Sequence, residues 1–384
     1  MKHVRWSSGA ILGVVAAVAC GVAAGSARAA VVAEPCPGLH RLGFLSSGNE
    51  SGATGISADG AVVVGTSGSK NGPRAFLWTK DELMTGLGDL AFGKSESGAR
   101  AVSADGTTVV GYGSSADGQE PFVWSKGKGM VGLGYDYVLG KVKGKGRPPA
   151  VATGVSGDGL VAVGYLRATA ASAGEFENAF AWTRSGGLAC LELDKERSDI
   201  GRASAVSADG RTVVGASLGS AFLWTKDKGV ERIGGLPGGD VSAATGVSAD
   251  GSVVVGETVG GDGRQAWIWT RADGFKALGD LPGGRVDARA LAVSPDGTVV
   301  VGTSDSEAGP QAFVWDAAAG MRPLGDLLRK THGVDLGAFV LLSADAVTAD
   351  AAKIAIVGQG KGPYPKKPKG KLEAYLAVLP RAAP

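Results

Sequence analysis

Few side chains in this 384-residue chain are equipped for acid–base, nucleophilic or metal chemistry. There are three histidines, and past the N-terminal leader only His40 and His332 remain, too few for the three converging protein ligands of a catalytic zinc. No metal or other cofactor is therefore expected. Gly215-Ala216-Ser217-Leu218-Gly219 matches GxSxG, but a nucleophile elbow needs a strand-to-helix turn and this serine lies between two strand-like segments. No GxxxxGK[ST] phosphate loop occurs, and the GGLPGG and GDLPGG runs read as turns. Glu175, Glu177, Asp335 and Asp345 are the acids that loops could bring together for glycoside chemistry, which uses paired carboxylates. Cations are more concentrated. Lys141, Lys143, Lys145 and Arg147 form one run and Lys361, Lys366, Lys367, Lys369 and Lys371 another, interleaved with Tyr135, Tyr137 and Tyr364. Basic groups beside aromatics suit an anionic ligand, although a solvated flexible loop has the same composition.

The leader must be set aside before charge is interpreted. Residues 1–29 carry Lys2 and Arg5, an apolar stretch from Ala10 to Ala24 and a small-x-small site at Ala27-Arg28-Ala29, the pattern of a secretory signal. Cys20, in AVACG, offers the alternative of a lipoprotein signal, with that cysteine acylated. Cleavage after Ala29 removes Lys2, Arg5 and Arg28 and no acid, so 39 bases become 36 against 37 acids, a net charge near −1. A near-neutral exported chain gives no reason to expect nucleic acid as a partner. No later apolar run is long enough to span a bilayer.

The elements that would position these side chains come from a repeat. Seven copies of a V-S-A-D-G-x-V-V-V-G pattern place Asp59, Asp105, Asp158, Asp209, Asp250, Asp296 and Asp350 at intervals of 41 to 54 residues, the period of a propeller blade. Each copy supplies four strand candidates joined by turns, hence one antiparallel blade. Trp78, Trp124, Trp182, Trp224, Trp269 and Trp315 occupy one position of the third strand, with an aromatic two residues earlier on the same face. That stripe is expected to pack blade against blade. The turn aspartates are expected to cap their own turns, since a lone carboxylate beside glycine is far from a calcium shell.

The last copy lacks a fourth strand, and residues 38–45, GLHRLGFL, supply one ahead of the first copy. The expected fold is therefore all-β: a seven-bladed propeller of four-stranded antiparallel blades over residues 38–380, its last blade closed by the N-terminal strand, after a linker at 30–37. In such a ring Cys36 and Cys190 lie nearly opposite, so no disulfide between them is expected.

These pieces resemble the bacterial extracellular HAF repeat, with LGDLPGG at 278–284, VSADGSVVVG and AFLWT as the matching segments over nearly all of residues 38–380. The VSPDGTVVVG copy is also similar to the strand-turn-strand of TolB-type propellers, a likeness that bears on fold. The family's His-Ala-Phe appears here as Arg74-Ala75-Phe76, Asn178-Ala179-Phe180, Ser220-Ala221-Phe222, Gln265-Ala266-Trp267 and Gln311-Ala312-Phe313, so a role for its histidine does not transfer. The resemblance implies an exported repeat protein and no agreed activity.

Insertions all fall between second and third strands or between blades, at 135–150, 166–179, 327–339 and 359–373, and so on one face of the ring. Phe92, Phe176, Phe339 and the three tyrosines gather there with the basic runs. Near the axis, Thr54, Arg100, Thr153, Ser204, Thr245, Leu291 and Asp345 are equivalent, and Arg100 and Asp345 break an otherwise neutral set. The expected site is this loop face, with Arg100, His332, Asp345 and the two basic runs contacting an anionic glycan or an acidic protein surface. The alternatives are a structural envelope lipoprotein and a glycan hydrolase using loop carboxylates. A monomer is expected.

Overall fold

Each copy of the repeat folds as its period-2 pattern requires. The computed structural model describes residues 37–134, 149–170, 174–193, 201–350, 352–364 and 367–381. Twenty-eight strands form seven four-stranded antiparallel sheets around a ring. Blade one comprises β2 (Ser51–Ile56), β3 (Val63–Ser69), β4 (Gly72–Thr79) and β5 (Leu83–Gly86), and β2 lies innermost. The seventh blade has the order β1-β28-β27-β26, with β1 (Gly38–Gly43) outermost on β28 (Lys367–Pro380), followed by β27 (Lys353–Tyr364) and β26 (Val340–Ala349). The N-terminal strand closes the ring, which leaves no open sheet edge.

The core lies between blades. Phe76, Phe122, Phe180, Phe222, Trp267, Phe313 and Tyr375 are fully buried, each worth roughly 2–3 kcal/mol of apolar burial. Phe122 of blade two, for example, meets Val64, Ala75 and Leu77 on the back of blade one. Among the tryptophans two residues on, Trp78, Trp269 and Trp315 are buried, while Trp124, Trp182 and Trp224 are half-buried at the margins of the same clusters.

Every inner strand is bulged at the same place, between Ala53 and Gly55, Ala99 and Ala101, Ala152 and Gly154, Ala203 and Ala205, Ala244 and Gly246, Ala290 and Ala292, and Ala344 and Ala346. The extra residue at each bulge is the channel residue anticipated from the repeat: Thr54, Arg100, Thr153, Ser204, Thr245, Leu291 and Asp345. Three of them tie neighbouring blades, with Thr54 Oγ1 donating to Ala99 O at 2.9 Å, Thr153 Oγ1 to Ala203 O at 2.9 Å and Thr245 Oγ1 to Ala290 O at 2.7 Å. The glycine ending each V-V-G segment faces this bulge so closely that a Cβ on Gly215 would lie 2.0 Å from Arg202 O.

On the opposite face, the turns close a second circle. The N–H before each turn aspartate donates to its counterpart in the next blade, running Ala58, Ala104, Gly157, Ala208, Ala249 and Pro295. Pro295 has no N–H to pass on. Between blades six and seven the turns are joined instead by Arg381, which pairs with Asp296 at 2.6 Å and donates to Thr298 Oγ1 at 2.9 Å, and between blades seven and one the Thr348 hydroxyl donates to Ala58 O at 2.8 Å. Within each turn the aspartate accepts from its own loop, as Asp209 does from Ser207 Oγ at 2.6 Å and Arg211 N at 3.0 Å. These hydrogen bonds hold the turn carboxyls below their ordinary range, down to about 2 for Asp296, where Arg381 adds a charge.

Three expectations about elements are corrected. The fourth strands, which the sequence reads as segments such as FKALGDL (275–281), are mostly only four residues long, and the LGDL that follows leaves the ladder and buries both leucines, as Leu278 and Leu281 show. The insertions in blades three and seven are not loose loops. They prolong the ladder of their blade, with Leu166 paired to Asn178 out to Ala170 with Gly174, and Gln359 to Ala374 out to Tyr364 with Lys367. The insertion before blade seven begins as an α-helical turn (Leu324–Asp326) running into a π-helical segment (Leu327–Thr331), whose Leu324 and Leu328 join Phe339 in the core between blades six and seven. Phe339 is therefore structural, with the Arg41 guanidinium 4.9 Å above its ring.

Candidate functional site

The face bearing the two prolonged hairpins also opens the axial channel, and charged side chains are distributed unevenly around it. Across blades five and six they cancel. Arg264 meets Asp287 at 2.8 Å and Glu257 at 3.3 Å, and Arg289 lies 3.7 Å from Glu257. Arg167 and Glu177, at 3.2 Å, pair on the blade-three hairpin, and Arg74 and Asp89, at 2.7 Å, pair in blade one.

Arg100 and Arg202 are held differently. Arg100 is the bulge residue of the inner strand of blade two, and its guanidinium carbon sits 5.3 Å over the ring of Tyr112 on the neighbouring strand. Arg202 opens the inner strand of blade four and lies 4.1 Å over Tyr165 of blade three, whose hydroxyl it also reaches at 3.0 Å. Both arginines are exposed, and among the described residues neither has a carboxylate within 4.0 Å. Tyr112 and Tyr165 each follow the V-V-G or V-x-V-G glycine of their blade, at positions the repeat otherwise fills with small or polar residues. That substitution within the repeat is the sequence signal that would have found Arg202, which was not among the expected site residues.

Asp345 lies in the channel within reach of the charge of Arg100. It keeps a partly accessible edge along the channel, yet protein surrounds it on nearly all sides. Desolvation pushes its carboxyl up to about 6, against the opposing effects of a 2.7 Å hydrogen bond from Ser343 Oγ and of the Arg100 charge. Ser343 O in turn accepts from the buried Tyr375 hydroxyl at 2.7 Å. The structure thus couples Arg100 to Asp345 but leaves His332 apart. His332 follows the π-helical segment, half-buried, and burial lowers its pKa.

Tyr135, Tyr137, Lys141, Lys143, Lys145, Arg147 and Lys366 lie outside the described residues, as do Cys20 and Cys36. For Tyr364, Lys367 and Lys369 the backbone is described, in the blade-seven hairpin. Of the acids considered for catalysis, Glu177 is paired with Arg167 and Asp335 accepts from Gly337 N at 2.7 Å in its own turn. Ser217 ends a strand that pairs directly with the next, so GxSxG forms no nucleophile elbow.

Two clefts accompany these groups. One of about 490 Å³ lies on the loop face beside Tyr112. The other, about 1290 Å³, is on the turn side of the seam between blades seven and one, walled by Leu42, Trp78 and Leu376. Its walls belong to the inter-blade core, and its rim mixes Lys80, Asp81, Glu82, Lys126 and Lys353, with Lys126 3.2 Å from Glu82. Such a wedge arises wherever flat sheets radiate from an axis.

No protein-family model matches the sequence, and no curated protein matches it. Solved structures do resemble it. Oligogalacturonate lyase from Vibrio parahaemolyticus aligns with a TM-score of 0.55 at 12% identity, over 89% of this chain and 93% of that one. TolB from Acinetobacter baumannii gives 0.46 at 13% identity over 69% of this chain, which spans 63% of that protein's length. A TolB-like protein from Agrobacterium tumefaciens gives 0.42 at 16% identity, over 72% and 91% of the two chains. At such identities the likeness to the lyase is one of fold.

Proposed function

We propose that this protein is an exported, monomeric binding scaffold of the HAF-repeat type that holds an acidic glycan of the cell envelope or its surroundings on the loop face. The observation that carries the reading is the pair of tyrosine-stacked arginines, Arg100 and Arg202, exposed in the sector of blades two to four. A guanidinium held over a tyrosine ring has part of its side-chain freedom already spent, and its remaining donors can take a carboxylate or sulfate. The basic run of blade seven belongs to a hairpin on the same face of the ring. Export rests on the leader, with cleavage after Ala29 or acylation at Cys20. Mass spectrometry of the mature N-terminus separates a free extracellular or periplasmic protein from a lipid-anchored one.

The test is titration with alginate, a polyuronate. The double variant Arg100→Ala, Arg202→Ala is expected to lose at least about tenfold in affinity while keeping its melting temperature. Wild-type protein that binds no acidic polymer, or a double variant that binds as well as wild type, would overturn the reading.

A second reading, a glycan-cleaving enzyme, is favoured by one observation, the raised carboxyl of Asp345 beside Arg100, because acid–base catalysts are tuned in this way. It requires alginate or pectate fragments to be released by the wild type and not by Asp345→Asn.

A further inference from the structure

Phe92 is 94% exposed, the most exposed of the large apolar side chains among the described residues, and its backbone has a φ of +62°. That is the left-handed region, which a bulky residue avoids. The repeat shows what belongs there. The segment LGDLAFGK of blade one aligns with IGGLPGGD and LGDLPGGR of blades four and five, where Gly238 and Gly283 hold the same position at φ +81° and +84°. Blade one thus carries a phenylalanine where the turn asks for glycine, in a conformation that strains the backbone, and points the ring into solvent where it contributes nothing to the core.

The backbone under the ring is fixed. The next residue, Gly93, passes so close to the blade-two hairpin that a Cβ there would lie 1.8 Å from Ser114 O, and Ser114 N donates to Glu96 O at 2.8 Å. Phe92 is therefore an aromatic plate on a rigid mount. It forms one wall of the 490 Å³ cleft, whose other walls include Lys94, Glu96, Tyr112, Ser114 and Gln119. Tyr112 belongs to two sites at once, lining this cleft and carrying Arg100 over its ring. The cleft thus adjoins the proposed anion site through Tyr112.

An exposed aromatic ring at the edge of a cleft of this volume, lined also by several hydrogen-bonding groups and a lysine, fits one kind of ligand: a sugar ring, apolar on its C–H face and polar around its edge. We infer that the Phe92 cleft is a monosaccharide subsite for a uronate residue, with the pyranose face on the Phe92 ring, hydroxyls toward Glu96 and Gln119, and the carboxylate toward Lys94. This rests on the reading of the loop face as an acidic-glycan surface and narrows it to sugars. A purely electrostatic surface has no use for Phe92.

The experiment compares wild type, Phe92→Gly, Phe92→Trp and the double arginine variant against alginate oligosaccharides and against poly-glutamate, an acidic polymer without sugar. Phe92→Gly restores the residue its sister blades use, so it is expected to melt at or above the wild-type temperature. It should lose about tenfold or more in alginate affinity and keep its affinity for poly-glutamate, and Phe92→Trp should keep both. The double arginine variant should weaken with both polymers. Unchanged alginate binding by Phe92→Gly, or an equal loss for both polymers, overturns the sugar subsite while leaving the acidic surface intact. Failure of wild type to bind either polymer removes the acidic surface and the subsite with it.

Discussion

At the scale of single residues, the repeat makes exceptions visible, because six sister positions show what the fold itself requires. Asp345 stands where the other blades hold a neutral or cationic residue, and its folded carboxyl, at about 6, lies above its ordinary 3.8. The sign follows from linkage: keeping the charged form inside costs nothing below pH 3.8 and most above pH 6, by at most about 3 kcal/mol. Asp345→Asn should therefore raise the melting temperature at pH 8 and leave it nearly unchanged at pH 4, as measured by calorimetry. A variant destabilised equally at both would mean that Asp345 is held for structure. Asp345 and Arg100 were legible from sequence as breaks in a neutral ring. Phe92 was visible only as an aromatic outside the core pattern, because its meaning depends on φ, which the sequence does not display. Arg202 was missed because its partner, Tyr165, belongs to the neighbouring blade.

At the scale of elements, turns and strand order were legible because Asp-Gly pairs and alternating apolar residues recur in each copy. The insertions were misread for a physical reason. Glycine, proline and lysine suggest a solvated loop, but a strand already paired at its base can prolong its ladder one residue pair at a time without a new nucleus, and both long hairpins do so. The helical segment before blade seven was hidden because its LGDL repeats the segment that, in the other copies, reads as the end of a fourth strand. The closing strand was read correctly, and its attachment can be named: Glu373, buried, accepts from Arg41 Nε at 2.9 Å and Gly43 N at 3.1 Å, while Ser51 Oγ donates to Gly43 O at 2.7 Å. Deleting residues 36–45 exposes β28 along its length and leaves Glu373 without these donors. The truncated protein should show no cooperative thermal transition by circular dichroism. Melting like the full chain would contradict closure by this strand.

At the scale of the whole molecule, a circle of inter-blade contacts at the turns and threonine ties at three of the bulges hold together a ring whose two faces differ. The turn face repeats almost unchanged from blade to blade, and the other carries, among the described residues, the main departures from the repeat: the prolonged hairpins, the helical segment, Phe92 and the two arginines held over tyrosines. A fold needs none of these departures to close. Their collection on one face, with guanidinium groups that meet no carboxylate among the described residues, is the basis for assigning recognition of an acidic glycan to that face. Exposed charges recognised in this way are screened by salt, with a Debye length falling from about 10 Å at 0.1 M to about 3 Å at 1 M. The most direct measurement is therefore the dissociation constant of the mature protein for alginate across that range of sodium chloride. Loop-face recognition through Arg100 and Arg202 requires affinity to fall steeply as salt rises, and an affinity that is absent, or unchanged across the range, would contradict it.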